Sequence, residues 1–289
     1  PGLLCPWGVT GSWQIQYQGC GSQQYSCPAR KSCSHSTHPC MIDVRNIYKQ
    51  FEEKFVLEDV SVRFEKGKTN LVIGQSGSGK TVLLKAIVGL HDIDKGEIWY
   101  DDRLFTSLSF RARKEIRKEI GMLFQGAALF DSSTVEQNVM FPLDMFTNQS
   151  YREKLTRVDF CLDRVNIKGV NNLLPAELSG GMKKRVAIAR AIALNPKYLF
   201  CDEPNSGLDP QTAILIDNLI KEITEDFNIT TIVNTHDMNS VIEIGDKVVF
   251  IFEGRKLWEG TKEEIMNTDS KELNDFVFAT SLAQQIKKV

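Results

Sequence analysis

Residues 71–90, LVIGQSGSGKTVLLKAIVGL, decide how the rest of the chain is read. Leu71, Val72 and Ile73 form a short apolar run rich in β-branched residues, as expected of a buried parallel strand. Gly74-Gln75-Ser76-Gly77-Ser78-Gly79-Lys80-Thr81 follows and fits G-x-x-x-x-G-K-[ST] at every fixed position. From Val82 to Val88 apolar residues recur at helical period. Strand, glycine loop and helix form the context in which this pattern cradles phosphate. The glycines let successive backbone N–H groups turn toward phosphate oxygens. The helix after them directs its positive end at the same anion. Lys80 brings a cation to the outer phosphates, and Thr81 a hydroxyl for Mg2+.

The 289-residue chain is long enough for one or two domains with a sizeable core. A formal charge of −2 gives no pull toward nucleic acid. No apolar run reaches the ~18 residues of a membrane span. The opening PGLLCPWGVTGSW lacks the basic region and long apolar stretch of a signal peptide. A cytosolic chain is expected, with any membrane span supplied by another subunit.

Residues 1–40 stand apart. They hold no Asp or Glu and carry five of the seven cysteines, Cys5, Cys20, Cys27, Cys33 and Cys40, with His35 and His38 among them. A zinc site is one reading, but the spacings lack the close C-x₂₋₄-C pairs of zinc modules. A disulfide module fits poorly with a cytosolic enzyme. The favoured expectation is a disordered leader, or upstream sequence before a start at Met41.

Beyond Met41 the pattern is globular. Ile42, Val44 and Ile47 alternate as in a strand, and Val56 to Phe64 forms a second. Phe51 lies between them, either a platform for a base or an edge aromatic. Gly96 to Tyr100 is a third strand. Ser107 to Lys118 is a charged helical stretch, a docking patch or, preferably, a solvated face. Ile120 to Phe124 is a buried strand with Gln125 at its end, placed to reach a ligand in the crevice of an α/β sheet. Residues 131–177 are helical in pattern, with Thr134 as a cap and Pro142 as an interruption. Leu178-Ser179-Gly180-Gly181-Met182 opens a helix from Lys183 to Leu194, a second small-residue turn at a helix N-terminus. Lys197 to Pro204 is a strand ending in Asp202 and Glu203. Phosphoryl chemistry needs one carboxylate on the metal and one near the attacking water. Asp209 is a candidate cap for a helix ending at Phe227. Ile229 to Val233 leads to His236 at a strand end, Lys247 to Trp258 forms a hairpin turned at Glu253-Gly254, and residues 261–289 a polar helical tail.

These motifs, in this order and spacing, resemble the ATP-binding cassette (ABC) ATPases over residues 41–260. The resemblance implies an α/β fold: a RecA-like phosphate-loop NTPase core, an antiparallel β subdomain, and a helical subdomain at about 131–178. It implies ATP and Mg2+ as cofactors. Residues 74–82 (Gly74, Gln75, Ser76, Gly77, Ser78, Gly79, Lys80, Thr81 and Val82) would hold the phosphates, with Phe51 on adenine. Thr81, Asp202 and Gln125 would address the metal. Glu203 would be the general base, His236 a clamp on the γ-phosphate, and Gln125 also a link to a membrane partner. Leu178 to Met182 would bind ATP held by a second copy, with Asp209 at the interface between copies. Two anion-binding turns with one pair of metal acids agree with such a two-fold sandwich. Met182 departs from the Gln usual in the family. Together with Phe124 to Phe130, Asn138-Val139 and Phe141-Pro142-Leu143, it is similar to the Mla subfamily, whose cassettes drive phospholipid traffic in double-envelope bacteria.

The expected function is therefore ATP hydrolysis that drives an integral membrane permease from the cytoplasmic face of the inner membrane, with a periplasmic lipid-binding subunit reached through the permease. The alternatives are a soluble ABC protein of repair or translation, whose insertions or second cassette are not present here, and a cassette of the cell-division type with little turnover.

Overall fold

The structure, a computed structural model, describes residues 40–278. The expectations for residues 1–39 and for 279–289 lie outside the described residues. Two sheets organise what is described. One is antiparallel, in the order β2 (Lys54–Glu65), β1 (Cys40–Phe51), β4 (Lys95–Tyr100), β5 (Arg103–Leu104). The other runs β10 (Arg255–Gly260), β9 (Lys247–Phe252), β3 (Thr69–Ile73), β8 (Thr230–Thr235), β7 (Tyr198–Asp202), β6 (Ile120–Leu123). From β9 to β6 the strands are parallel, and β10 is antiparallel to β9.

The two-residue period of a strand divides this larger sheet between two cores. Leu71, Ile73, Leu199, Cys201, Val233, Val248 and Phe250 enter one, packed with the helices. Val72, Tyr198, Phe200, Ile232, Val249 and Ile251 enter the other, with Ile42, Val44, Val60 and Phe64 of the antiparallel sheet and Leu83, Leu84 and Ile87 of α1 (Lys80–Val88). Burial on both faces is why these strands are continuous apolar runs in sequence. The fold is the expected α/β core with an antiparallel β part and a helical part.

The helical part holds α3 (Val135–Phe146) and α4 (Tyr151–Arg164), each opened by a capping box, Thr134 with Gln137 and Ser150 with Glu153. Pro142 does not interrupt α3, which continues through it to Phe146. An interior proline costs about 3 kcal/mol, and here Val135, Val139, Met140 and Leu143 are buried on both sides of it, enough apolar burial to offset that. In α2 (Phe110–Lys118), Arg113 pairs with Asp92, Arg117 donates to the Gly89 carbonyl and Lys118 pairs with Glu115. Much of the basic run thus makes bonds within the fold itself. Helix α5 (Gly180–Ile192) opens earlier than Lys183, because Ser179 caps it by accepting the Met182 N–H at 3.3 Å. Helices α6 (Pro210–Asp226) and α7 (Met238–Ile244) complete the layer.

The segment after residue 260 is less polar in its packing than in its composition. Ile265 of α8 (Lys262–Ile265), Leu273 and Val277 of α9 (Lys271–Val277), and Phe278 are buried in the helix-side core.

Candidate functional site

The phosphate loop leaves β3 at Gly74 and enters α1 at Lys80. Gly74 has φ of +149°, and a Cβ there would lie 2.2 Å from the Ile251 carbonyl oxygen. Gly79 has φ of +108°, and its Cβ would lie 2.7 Å from the Val56 carbonyl oxygen. Both ends of the loop therefore require glycine for conformation and for clearance. The Lys80 ammonium donates to the Gly74 and Gln75 carbonyls at 2.9 and 3.0 Å. Burial pushes its pKa down, opposed by the charges of Glu203 and Asp202.

Thr81 donates its hydroxyl to Asp202 Oδ1 at 3.1 Å, and Asn234 Nδ2 donates to the same oxygen at 3.1 Å. Two hard oxygens side by side, one from a buried carboxylate, suit Mg2+, which takes one or two protein oxygens together with substrate phosphates. Residues of the strand end are not side by side by default, since neighbours on a strand face opposite ways. Glu203 resolves this with a left-handed backbone, φ +50°. Its N–H donates to the Asn234 carbonyl at 3.0 Å, and its Oε2 lies 2.6 Å from His236 Nδ1. Gln125, just past β6, donates Nε2 to Ser206 Oγ at 3.3 Å.

One cavity of about 1180 Å³ is lined by Gln75, Ser76, Gly77, Gly79, Lys80, Thr81, Val82, Gln125, Glu203 and His236. Gly74 and Ser78 shape the loop without lining it, and Asp202 reaches it through Thr81. Phe51 does not line it. That ring is 41% exposed at the end of β1, edge-on to His91 at 5.5 Å and beneath Lys49 Nζ at 5.2 Å. Val56 lines the cavity instead.

The turn Leu178 to Met182 also lies outside the cavity lining. It packs on the start of α6: a Cβ on Gly181 would meet Thr212 Cγ2 at 2.5 Å. Asp209 caps that helix, accepting from the Thr212 N–H at 3.0 Å and from its hydroxyl at 2.6 Å. The cavity at the glycine loop and the turn Leu178 to Met182 are thus separate surfaces of this chain.

Sequence reasoning missed two contributions. Met238, Asn239 and Ile242 of α7, Met266, and Asp275 to Phe278 also line the cavity. The signal for the last four was a pair of phenylalanines in an otherwise polar tail. Lys184 was also missed. It is 5% exposed and donates to the Gln125 carbonyl, and to that of Glu203 at 3.4 Å. Contacts of that kind follow no spacing rule.

A glycine loop at a helix start, a metal-suited oxygen pair and an adjacent Glu–His pair around one cavity define a phosphate-loop nucleoside triphosphatase. The profile of the ABC transporter family matches residues 57–206. The chain is 40% identical over 242 residues to the methionine import ATP-binding protein MetN of Clostridioides difficile, covering 84% of this chain and 75% of that one. It is 38% identical over 239 residues to the intermembrane phospholipid transport system ATP-binding protein MlaF of Haemophilus influenzae, covering 82% of this chain and 90% of that one. Among solved structures, the dimeric, post-hydrolysis ABC cassette MJ0796 bound to ADP and Pi aligns with a TM-score of 0.71 and 30% identity, over 77% of this chain and 99% of that one. The chain belongs to the ABC transporter family, as an ATP-binding domain with ATPase activity coupled to transport. No helix among the described residues is long and apolar enough to cross a membrane.

Proposed function

We propose that this chain hydrolyses ATP as a two-fold sandwich of identical copies and so drives a membrane permease that moves phospholipid. The observation that carries the hydrolysis reading is the Thr81–Asp202 and Glu203–His236 pairing at the rim of one glycine loop. Loop N–H groups and Lys80 hold the β- and γ-phosphates. Thr81 and Asp202 hold Mg2+, with Gln125 beside them; the ion, when bound, neutralises charge on the phosphates. Glu203 takes a proton from water as the water oxygen bonds to the γ-phosphorus and the bond to ADP breaks. His236 orients the Glu203 carboxylate and contacts the γ-phosphate. Ser179 and Gly181, on a separate surface with Asp209, serve the ATP of the second copy.

The phospholipid reading is supported by the runs 124–130, 138–143 and 178–182 and by the match across 90% of MlaF. Methionine import is the second reading, supported by several MetN relatives at 36–40% identity. Purifying the protein with its permease from native membranes in mild detergent decides between them. Bound phospholipid and a lipid-binding subunit outside the membrane support the first reading. A permease that takes up methionine replaces it with the second, and no membrane partner at all overturns both.

A further inference from the structure

Glu203 sits in a backbone conformation that non-glycine residues adopt only when their surroundings impose it, φ +50°. Three bonds impose it. Its N–H donates to Asn234 at the end of β8, its carbonyl accepts the Ser206 N–H at 3.2 Å, and that same carbonyl accepts the Lys184 ammonium at 3.4 Å. The first comes from β8, the strand beside β7, and the second from the turn that carries Glu203. The third comes from α5, the helix whose first turn is Ser179 to Met182.

Lys184 also donates to the main-chain carbonyl of Gln125. The Gln125 side chain in turn donates to Ser206 Oγ. One buried ammonium therefore joins the loop after β6, the end of β7 and the helix behind the second anion-binding turn. Its chain emerges from α5 with neighbours Val186, Ala187 and Ile188 buried, so α5 cannot shift along the sheet without moving the ammonium.

We propose that Lys184 is a positioning residue for catalysis: it sets the Glu203 carbonyl, and with it the carboxylate, and ties that setting to the position of α5 and Gln125. It touches no substrate. A movement of α5, whose N-terminal turn faces the other copy's nucleotide, is passed to this copy's Glu203 through one hydrogen bond and to its Gln125 through the other. The two ATP sites of a sandwich are thereby coupled through a single side chain each. The inference rests on the assignment of Glu203 as the base and extends it to the residue that aims it.

The test is ATPase kinetics of the full chain with Lys184→Met and Lys184→Gln, alongside Glu203→Gln and direct ATP binding. The methionine retains the stem and removes every donor, and the glutamine restores a neutral N–H donor on a side chain one bond shorter. For Lys184→Met the expected result is a kcat lower by about 10- to 100-fold, the cost of a misplaced catalytic group. ATP affinity and KM should stay within about twofold, since the binding loop is untouched. Lys184→Gln should recover most of the lost kcat. A lower kcat with an equally weakened ATP affinity would mean a structural role and overturn the proposal. So would a wild-type kcat in both variants. If Lys184→Met does not fold, Lys184→Gln decides alone: its kcat must fall between that of wild type and Glu203→Gln with ATP affinity retained, and any other pattern overturns the proposal. Turnover that survives Glu203→Gln in an otherwise unaltered chain would instead sink the assignment of the base, a result distinct from failure of the positioning role.

Discussion

His236 Nδ1 lies 2.6 Å from Glu203 Oε2, with the histidine side chain 63% exposed and the glutamate 15%. The imidazole comes from the end of β8 and the carboxylate from the end of β7, neighbours in the parallel sheet. Two parallel strands delivering polar groups to their common carboxyl end is how α/β sheets build sites.

Glu203→Gln removes the proton acceptor and leaves every phosphate contact in place. Turnover is expected to fall by about 10²- to 10⁴-fold, the usual worth of general base catalysis, with ATP affinity preserved. Size-exclusion chromatography with ATP and Mg2+ should then show a trapped dimer. A variant that stays monomeric under those conditions contradicts the sandwich.

Gly181→Ala places a methyl group 2.5 Å from Thr212 Cγ2. Overpacking of this kind costs about 1–3 kcal/mol, and the second anion-binding turn should be displaced with it. Adding Thr212→Ser deletes the opposing methyl while keeping the hydroxyl that Asp209 accepts. Thermal melting should show loss in the single variant and recovery in the double. No recovery would mean that the two residues do not collide.

Thr81→Ala deletes one of the two oxygens proposed for Mg2+. Titrating Mg2+ against ATPase rate should show a requirement raised by about 10- to 100-fold, as for other losses in a metal's coordination, and excess EDTA should stop the wild-type reaction. An unchanged Mg2+ dependence would remove Thr81 from the metal site.

Asp217, in α6, is 3% exposed, and burial pushes its pKa from 3.8 up to about 6, aided by Asp237 and Glu243 and opposed by hydrogen bonds from Ser240 and Asn205. Because the folded value is the higher one, the folded chain holds a proton that the unfolded chain releases between about pH 4 and pH 6. Stability therefore falls as pH rises through that window, by about 2–3 kcal/mol. Asp217→Asn should lack this component. Denaturant unfolding of both proteins at pH 4.5 and 7.5 should show the wild type losing ground to the variant at the higher pH. Parallel pH profiles would exclude the effect.

The phosphate loop was legible because its requirement is local. Gly74 and Gly79 must clear neighbouring carbonyls, Lys80 must follow, and fixed spacing records both. Asp202 and Glu203 were legible as acids at the end of an apolar strand. What brings both to one site is the left-handed turn at Glu203, which depends on partners from β8 and α5 that spacing does not encode. Pro142 misled because local propensity predicts a break, whereas burial around it holds the helix. Phe51 was legible as an exposed aromatic at the end of a strand, while its contact with His91 comes from a segment that spacing does not link to it. The segment after residue 260 misled through composition, since its scattered apolar residues, Ile265, Leu273, Val277 and Phe278 among them, pack into the core.

Helix α9 and Phe278 just past it bring Asp275 to Phe278 into the wall of the cavity lined by Lys80 and His236, with Phe276 5.5 Å from Phe250 of β9. The last described turn is consequently a natural reporter. An environment-sensitive fluorophore attached at exposed Met266, or at Asp275, would view the same space as Lys80 and His236, so nucleotide occupancy becomes an optical signal. By the same token, a fusion or truncation made close behind Phe278 alters the wall of this cavity, and a changed rate after such surgery measures the cavity before it measures any role of the tail.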